Sequence, residues 1–321
     1  MKKIFLILTI LFIFFIADAA DATTVFSPLI EIEIDPGQRE SGIVKVYNET
    51  NSDIYLTSSI ESFKAGDETG QPIYVPDDQK DGHLSWFDVA EKEIILKSKQ
   101  VGVIPFSVMV PSDAAPGGYY VVIFWKNEPH TADDNPAVSV SSKVGTLIFL
   151  KVRGEIVEKG EISSFKTKPD KNYFWGLPVS FLVRFENLGN VHLKPVGEIR
   201  LTNFWGRTKI LAVNELERNV LPGSVRRFEV VWGPTLSGSY LKSFWLGVKA
   251  ELTEFAFGPY EAVLNLNYGV QPTEPLSQKI SFWIIPYRLI SVIVLAIVLL
   301  VILVKIDKKI KKLKEGERAK R

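Results

Sequence analysis

Leu29-Ile30-Glu31-Ile32-Glu33-Ile34 alternates apolar and acidic residues from Ile30 onward, and after the turn residues Asp35-Pro36-Gly37 a second alternating run follows, Gly42-Ile43-Val44-Lys45-Val46-Tyr47. Because successive side chains of a β-strand point to opposite faces, such runs predict strands with one buried face. Further runs cover Val101–Val110 and Phe181–Phe185, and turn-forming clusters separate them, at Asn48–Asp53, Ala115–Gly118 and Leu221–Ser224. Short strands punctuated by turns are typical of a sandwich or barrel. The central part of the chain is therefore predicted to be all-β, with helices at best marginal.

Two internal correspondences predict that this β-rich part is a duplication. Gly118–Trp125 and Gly238–Trp245 share the pattern Gly-x-Tyr-x-x-x-Phe-Trp, and Val46–Asn51 and Phe185–Asn190 each run from a strand into Asn-x-x-Asn. Asn tolerates the left-handed backbone of a tight turn. Separations of roughly 120 to 140 residues indicate duplicated domains rather than a solenoid. We predict two tandem immunoglobulin-like β-sandwich domains, residues 23–157 and 158–286, with the boundary near Glu155–Gly160.

The N-terminal end, residues 1–22, is predicted to be a signal peptide. Lys2 and Lys3 form a positive region, Ile4–Ile16 is an apolar run too short to span a bilayer comfortably, and Ala17-Asp18-Ala19 offers a cleavage site. Ala20-Asp21-Ala22 is a second acceptable site, and an uncleaved anchor is the alternative. In either case we expect the bulk of the chain to be exported.

The C-terminal end is predicted to hold one transmembrane helix, residues 287–306. This stretch is almost continuously Leu, Ile and Val, and it has about the 20 residues that a helix needs to cross the bilayer. Trp283 and Tyr287 lie at its outer end, where aromatic rings prefer the interface. Lys and Arg crowd the following residues 307–321, which predicts a cytoplasmic tail and extracytoplasmic domains. We interpret the tail as a lipid contact and not a nucleic-acid site, because the net charge of the whole chain is only +1.

The chain contains no cysteine. Disulfides, catalytic thiols, Cys-ligated metals and a lipidated cysteine are therefore excluded, and each domain must be stable through its hydrophobic core. An exported, cysteine-free, membrane-anchored chain fits a bacterial envelope, which places the protein in the cell membrane as a single-pass cell-surface protein.

The order of segments resembles that of the WxL-interacting cell-surface proteins of Gram-positive bacteria. The matching residues are Ile32–Gln38 followed by Val44–Asn48, where a Pro-Gly-Gln turn precedes a strand ending at an Asn turn, and Gly145–Leu150, which is similar to the strand closing that family's first domain. The organisation covers the whole chain, whereas the matching residues cover about a tenth of it. The resemblance implies a first domain that contacts peptidoglycan and a second that contacts protein partners. It places no binding residue on this chain.

No constellation of residues points to catalysis, to a metal or to a cofactor. His83, His130 and His192 lie in different segments without metal-ligand spacing, and neither a nucleophile elbow nor a phosphate-binding loop occurs. The acidic clusters Asp77–Gly82 and Asp133–Asn135 lack the spacing of a calcium loop, so we interpret them as solvated loops. The sequence predicts a protein that is not an enzyme and needs no cofactor.

Aromatic residues in turn-like places are the candidates for a binding surface. They are Trp86, Phe87, Tyr173, Trp175, Phe204 and Trp205. Exposed rings suit a carbohydrate- or protein-binding face, and the alternative is that they plug the ends of the sandwiches. Phe124 and Trp125 are adjacent on a strand and cannot both face one core, so we expect one ring to be covered by another element, such as the neighbouring domain. The polar loop Lys126–Pro136 is either functional or merely disordered.

These features leave three hypotheses about function. The first is a membrane-anchored surface scaffold that binds peptidoglycan or an envelope protein through its β-sandwich domains. The second is a chaperone-like accessory factor of secretion or surface assembly that holds client segments by β-strand augmentation. The third, a membrane-anchored hydrolase, would need a catalytic constellation that the sequence does not display.

Overall fold

The computed structural model describes residues 23–75, 82–127, 142–236, 238–254, 256–269 and 275–318, with side chains described as far as residue 311. The predicted signal peptide, the acidic residues 77–81 and 133–135, and most of the loop 126–136 lie outside the described residues. The chain divides into two compact units: unit 1 contains the described residues of Met1–Lys64 and Pro72–Ile156, and unit 2 those of Ala65–Gln71 and Val157–Arg321.

Unit 1 is a sandwich of two sheets. Its strands are β1 (Thr23–Val25), β2 (Leu29–Ile34), β3 (Arg39–Asn48), β4 (Ile54–Ala65), β5 (Pro72–Tyr74), β6 (Phe87–Val89), β7 (Glu93–Leu96), β8 (Val101–Met109), β9 (Gly117–Asn127) and β10 (Lys143–Val152). One sheet has the order β1-β3-β8-β6, and the other has the order β2-β10-β9-β4-β5 with β7 also paired to β4. The predicted alternation sets the core, because Val44, Val46 and Ile104 are buried while their strand neighbours face outward.

Unit 2 repeats this architecture. Its strands are β11 (Gly160–Lys168), β12 (Tyr173–Phe174), β13 (Val179–Asn187), β14 (Val196–Asn203), β15 (Thr208–Val213), β16 (Val225–Trp232), β17 (Gly258–Asn267) and β18 (Leu276–Ile284). The sheets have the orders β11-β13-β16 and β12-β18-β17-β14-β15. The prediction of an all-β chain with two tandem immunoglobulin-like sandwiches and a C-terminal apolar helix is confirmed.

The correspondence between the two Asn turns is a real feature of the duplication. Asn48 ends β3 and Asn187 ends β13, and both are fully buried. Each side chain donates to the main-chain carbonyl four residues on, at 2.8 Å in both units, and accepts the N–H two residues on, at 2.9 Å in both. Each also donates to a carbonyl just before the next strand of the same sheet, Leu96 at 3.1 Å and Val220 at 2.8 Å.

The expected reason for these asparagines was wrong. Among the described non-glycine residues, positive φ angles occur at Lys99, Asn214 and Glu217, and neither Asn48 nor Asn187 has one. The amide is needed because it satisfies main-chain groups that the buried turn leaves without strand partners.

The second predicted correspondence, between Gly118–Trp125 and Gly238–Trp245, was wrong. Gly238–Trp245 does not form a strand: Tyr240–Thr253 is a helix, α1. Ser239 caps it by accepting the N–H of Lys242 at 3.5 Å, and the helix buries Val248 and Ala250. Among the described residues, α1 and the short 3₁₀ helix Gly82–Trp86 are therefore the exceptions to the prediction of an all-β region before the C-terminal helix.

The true counterpart of β9 is β17. Gly117 pairs with Val152 of β10, and Gly258 pairs with Ile284 of β18 in the same position of the sheet. Both glycines have positive φ, 148° and 86°, and a tyrosine follows each of them two residues later.

The two adjacent rings of β9 are both buried, on opposite faces. Trp125 is fully buried in the core of unit 1. Phe124 lies on the other face, where the ring of Tyr74 packs edge-on at 4.8 Å and the Lys143 ammonium lies 3.7 Å above its centroid. The neighbouring domain is not needed to cover Phe124, because β5 and β10 of its own unit do so.

The C-terminal helix, α2, spans Tyr287–Arg318 and includes part of the predicted tail. Its segment Tyr287–Lys311 has 25 residues, and the most apolar 18-residue window within it has a mean hydropathy of 3.3 and no buried residue. By length and composition it is able to cross a membrane.

Candidate functional site

The open side of the sandwich is treated differently in the two units. In unit 1, β6 pairs with the outer side of β8, from Phe87↔Val108 to Val89↔Phe106, and β7 pairs with β4. β6 thus covers the outer edge of β8, and β7 lies beside the first residues of β4, Ile54–Thr57.

In unit 2, β16 takes the place of β8, but no strand covers it. Among the described strands, β16 pairs only with β13, and every residue from 188 to 236 is described. The 11 residues between Val213 and Val225 are too few for two further strands with their turns. Within the described part of the chain, β15 and β16 are therefore open edges of their sheets.

A groove runs between these two edges. Its wider part has a volume of about 650 Å³ and is lined by Ile210–Ala212 of β15 and Arg227–Val231 of β16. A second part of about 400 Å³ shares Leu211 and Val231 and continues to α1 at Leu246. Ile210, Val231 and the turn residue Leu216 expose about half or more of their apolar surface here.

The main chain of β16 offers hydrogen-bonding groups to this groove. The N–H of Arg227 points away from β13 and donates to the carbonyl of Glu68 at 2.7 Å, within unit 2. Because N–H groups of alternate strand residues point the same way, Glu229 and Val231 direct theirs to the same side. Side chains alternate too, so Phe228 and Trp232 are buried while Glu229 and Val231 face outward.

Charged side chains of both signs border the groove. Glu254 accepts from Lys209 at 3.0 Å and from the indole of Trp232 at 3.4 Å, and Glu229 pairs with Lys168 at 2.7 Å. These ion pairs are partly exposed, so each contributes little to stability. They make the rim of the groove polar.

The guanidinium of Arg226 lies on the inner side of the same strand. Burial, reinforced by the positive charge of Arg218, lowers the pKa of Arg226. It donates to the carbonyl of Asn219 at 2.5 Å, which fixes the turn before β16. The residue stays charged at neutral pH because an arginine pKa is far above it.

The predicted aromatic residues divide between the two units. Trp86 packs edge-on against Tyr119 at 4.7 Å at the margin of the core of unit 1, and Phe87 is inside that core, 5% exposed, with no surface to offer a ligand. The four residues of unit 2 are exposed and lie at one end of that unit, namely Tyr173, Trp175, Phe204 and Trp205. Their role as binding residues stays a prediction.

Sequence reasoning missed the groove. Thr208–Val213 and Val225–Trp232 are recognisable as strands, but which strands lack a neighbour is a property of long-range pairing. The one available signal was length, because the short connection between them leaves no room for the strands that close unit 1. Among the described residues, no group of three or more His, Asp or Glu side chains is placed to hold a metal ion.

Comparisons with known proteins find matches among solved structures. No family model matches the chain, and no curated protein matches it. The class 5 fimbriae chaperone CfaA is similar over 80% of this chain and 98% of its own, with 14% identity and a TM-score of 0.40. The Salmonella enterica SafA pilin in complex with the SafB chaperone matches over 82% of this chain and 99% of that chain, with 12% identity and a TM-score of 0.37. A PapD-like domain of human CEP192 matches over 41% of this chain and 84% of that chain, with 13% identity and a TM-score of 0.29.

Proposed function

We propose that this protein is a membrane-anchored envelope protein that holds an extended segment of a partner protein, which adds as a strand to β16 in the groove of unit 2. The observation that supports this most directly is the missing strand: unit 1 covers the outer side of β8 with β6, whereas β16 is left as an edge among the described strands. An added strand from a partner would complete the sandwich in the same way.

The groove has the two components that strand addition requires. Main-chain groups give affinity, and pockets for alternate side chains give specificity. β16 has eight residues, which corresponds to about 26 Å of strand. The carbonyl of Glu68 already occupies the N–H of Arg227, so a partner would use the stretch from Glu229 to Trp232 and the apolar surface of Ile210 and Val231.

The anchor follows from α2. A helix of this length and hydropathy crosses the membrane once in our proposal, with both units outside and the Lys-rich end in the cytoplasm. A bacterial envelope setting and the resemblance to WxL-interacting proteins stay predictions that agree with this arrangement.

Peptidoglycan binding, the first hypothesis from the sequence, has no observation of its own to support it. It rested on the resemblance to WxL-interacting proteins and on exposed aromatic rings, and the exposed rings of unit 2 lie at one end of that unit. It stays a prediction, and variants of β16 separate it from strand addition.

The test uses two variants at one position. Glu229→Pro removes the N–H that faces the groove and keeps the pairing with β13, since proline is tolerated on an edge when its nitrogen faces outward. Glu229→Ala loses the same side chain and the same ion pair with Lys168 but keeps the N–H. A photo-crosslinkable residue at Val231 of the full-length protein in cells identifies the partner, with Leu188 as an exposed apolar control.

A synthetic segment of the crosslinked partner is then titrated onto the full-length protein in nanodiscs. We expect Glu229→Pro to weaken binding of the segment about tenfold, because one main-chain hydrogen bond is lost, and Glu229→Ala to bind as the wild type does. Equal affinities of the two variants would refute strand addition at β16. Binding of isolated cell wall that neither variant changes would support peptidoglycan binding through another surface.

A further inference from the structure

The chain passes directly from the sheet of unit 2 into the apolar helix. β18 ends at Ile284 and α2 begins at Tyr287, so the connection spans at most about 11 Å. The carbonyl of Pro286 accepts the N–H of Ile290 at 3.0 Å, which starts the helix without a flexible stalk. Whatever surface α2 enters must therefore lie close to this end of unit 2.

A buried ion pair ties the first turn of α2 to α1. Arg288 lies 3.1 Å from Glu251, with side chains 11% and 0% exposed, and also donates to the carbonyl of Leu177 at 2.8 Å. The second carboxylate oxygen of Glu251 accepts the N–H of Leu289 at 2.9 Å. The start of the helix is thereby fixed on unit 2 at both α1 and the segment before β13.

Large aromatic rings are exposed at the same end, which we call the aromatic end. They lie in or beside the short strand β12, the ends of β14 and β18, and the start of β17. Each ring is between 48% and 68% exposed, and the six residues are Tyr173, Trp175, Phe204, Trp205, Phe257 and Trp283. Tyr173 pairs directly with Trp283. The centroids of Phe204 and Trp205 are 3.4 Å apart, and Phe257 lies 6.0 Å beyond Trp205.

α1 adds an exposed apolar stripe. Leu241, Trp245 and Leu252 are separated by four and seven residues, so they lie on one face of the helix, and each exposes more than half of its surface. Lys242 and Lys249 are exposed beside this stripe. An apolar helix face bordered by lysines is typical of helices that lie in a membrane interface.

We propose that the aromatic end, together with the exposed stripe of α1, inserts into the interface of the bilayer that α2 crosses. The inference rests on α2 being a membrane span and needs no segment bound in the groove, although α1 also lines that groove. Trp and Tyr rings prefer the headgroup region, and an interfacial helix buries its apolar face about 5–10 Å into the headgroup and acyl boundary. Unit 2 is then held against the membrane by its own surface as well as by the helix.

The absence of cysteine allows a clean test with single labels. Full-length variants Trp205→Cys and Trp245→Cys carry an environment-sensitive fluorophore, and Leu216→Cys is the matched control. Leu216 is 74% exposed and apolar, but it lies in the turn after β15, at the opposite end of unit 2. Each protein is placed as one copy per nanodisc of phosphatidylcholine and phosphatidylglycerol, with or without a lipid carrying a nitroxide on its headgroup.

We expect blue-shifted emission at positions 205 and 245 and quenching by the nitroxide lipid several-fold stronger than at position 216. Equal quenching at the three positions would overturn the proposal. A blue shift that the nitroxide lipid does not quench would mean that protein covers these residues, and it would overturn the proposal too. The nanodiscs contain no partner segment, so the groove that Leu216 borders is empty in this test, and strand addition at β16 is tested separately.

Discussion

Replacing Asn187 by alanine tests the reasoning about the duplicated turn most directly. The side chain is fully buried and makes three hydrogen bonds to main-chain groups, to the carbonyls of Val191 and Val220 at 2.8 Å and from the N–H of Gly189 at 2.9 Å. A typical buried hydrogen bond contributes about 0.5–1.5 kcal/mol net, and a buried group left without a partner costs more. The three bonds together therefore stabilise the turn by about 3 kcal/mol.

The assay is hydrogen exchange of the full-length protein, read by mass spectrometry on peptides from β13 and β16. A loss of about 3 kcal/mol raises the opening equilibrium, and hence the exchange rate of the slowest amides, about 100-fold. Asn267→Ala is the matched control, because Asn267 is an exposed residue of β17 in the same unit. If Asn187→Ala changed exchange in β13 and β16 no more than Asn267→Ala does, the account of this turn would be refuted.

Two further predictions concern buried groups of unit 2. Glu251→Gln leaves the buried Arg288 without a countercharge and should destabilise unit 2 by about 3–5 kcal/mol. Replacing both residues by methionine should recover most of this loss of stability. Thermal unfolding in detergent measures both effects, and a double variant as unstable as Glu251→Gln would contradict the prediction. Burial raises the pKa of the Tyr260 phenol, so the folded chain keeps this proton to higher pH than the unfolded chain, and stability should fall as pH rises from about 10 through the raised pKa. In urea unfolding measured over a series of pH values, Tyr260→Phe should reduce the dependence of the unfolding free energy on pH above about 10. A pH dependence equal to that of the wild type would contradict this prediction.

Local patterns in the sequence determined the elements that depend on local chemistry. Alternation such as Ile30 to Ile34 identifies a strand with one buried face, because the period of two is a property of the extended chain itself. The apolar run from Tyr287 identifies the helix, because its length matches a bilayer. Asn48 and Asn187 were recognised as equivalent from sequence, although their role in hydrogen bonding was not.

The comparison of residue patterns failed where the same pattern occurs in a strand and in a helix. Gly238–Trp245 shares its pattern with Gly118–Trp125, yet it forms the start of α1, since Ser239 caps the helix and residues beyond Trp245 bury one of its faces. A match of eight residues is too short to settle the conformation, because helix formation is decided over the whole segment and its packing.

Tertiary structure alone decided where the open surfaces lie. β16 is an edge because none of the described segments after it returns to pair with it, and the aromatic end exists because strands distant in sequence finish at the same end of unit 2 as the start of α2. The sequence by itself determined several of the strands, which segment is able to span a membrane, and which chemistry the absence of cysteine excludes. Pairing between strands depends on contacts far apart along the chain, and such contacts leave no local periodicity from which they are readable.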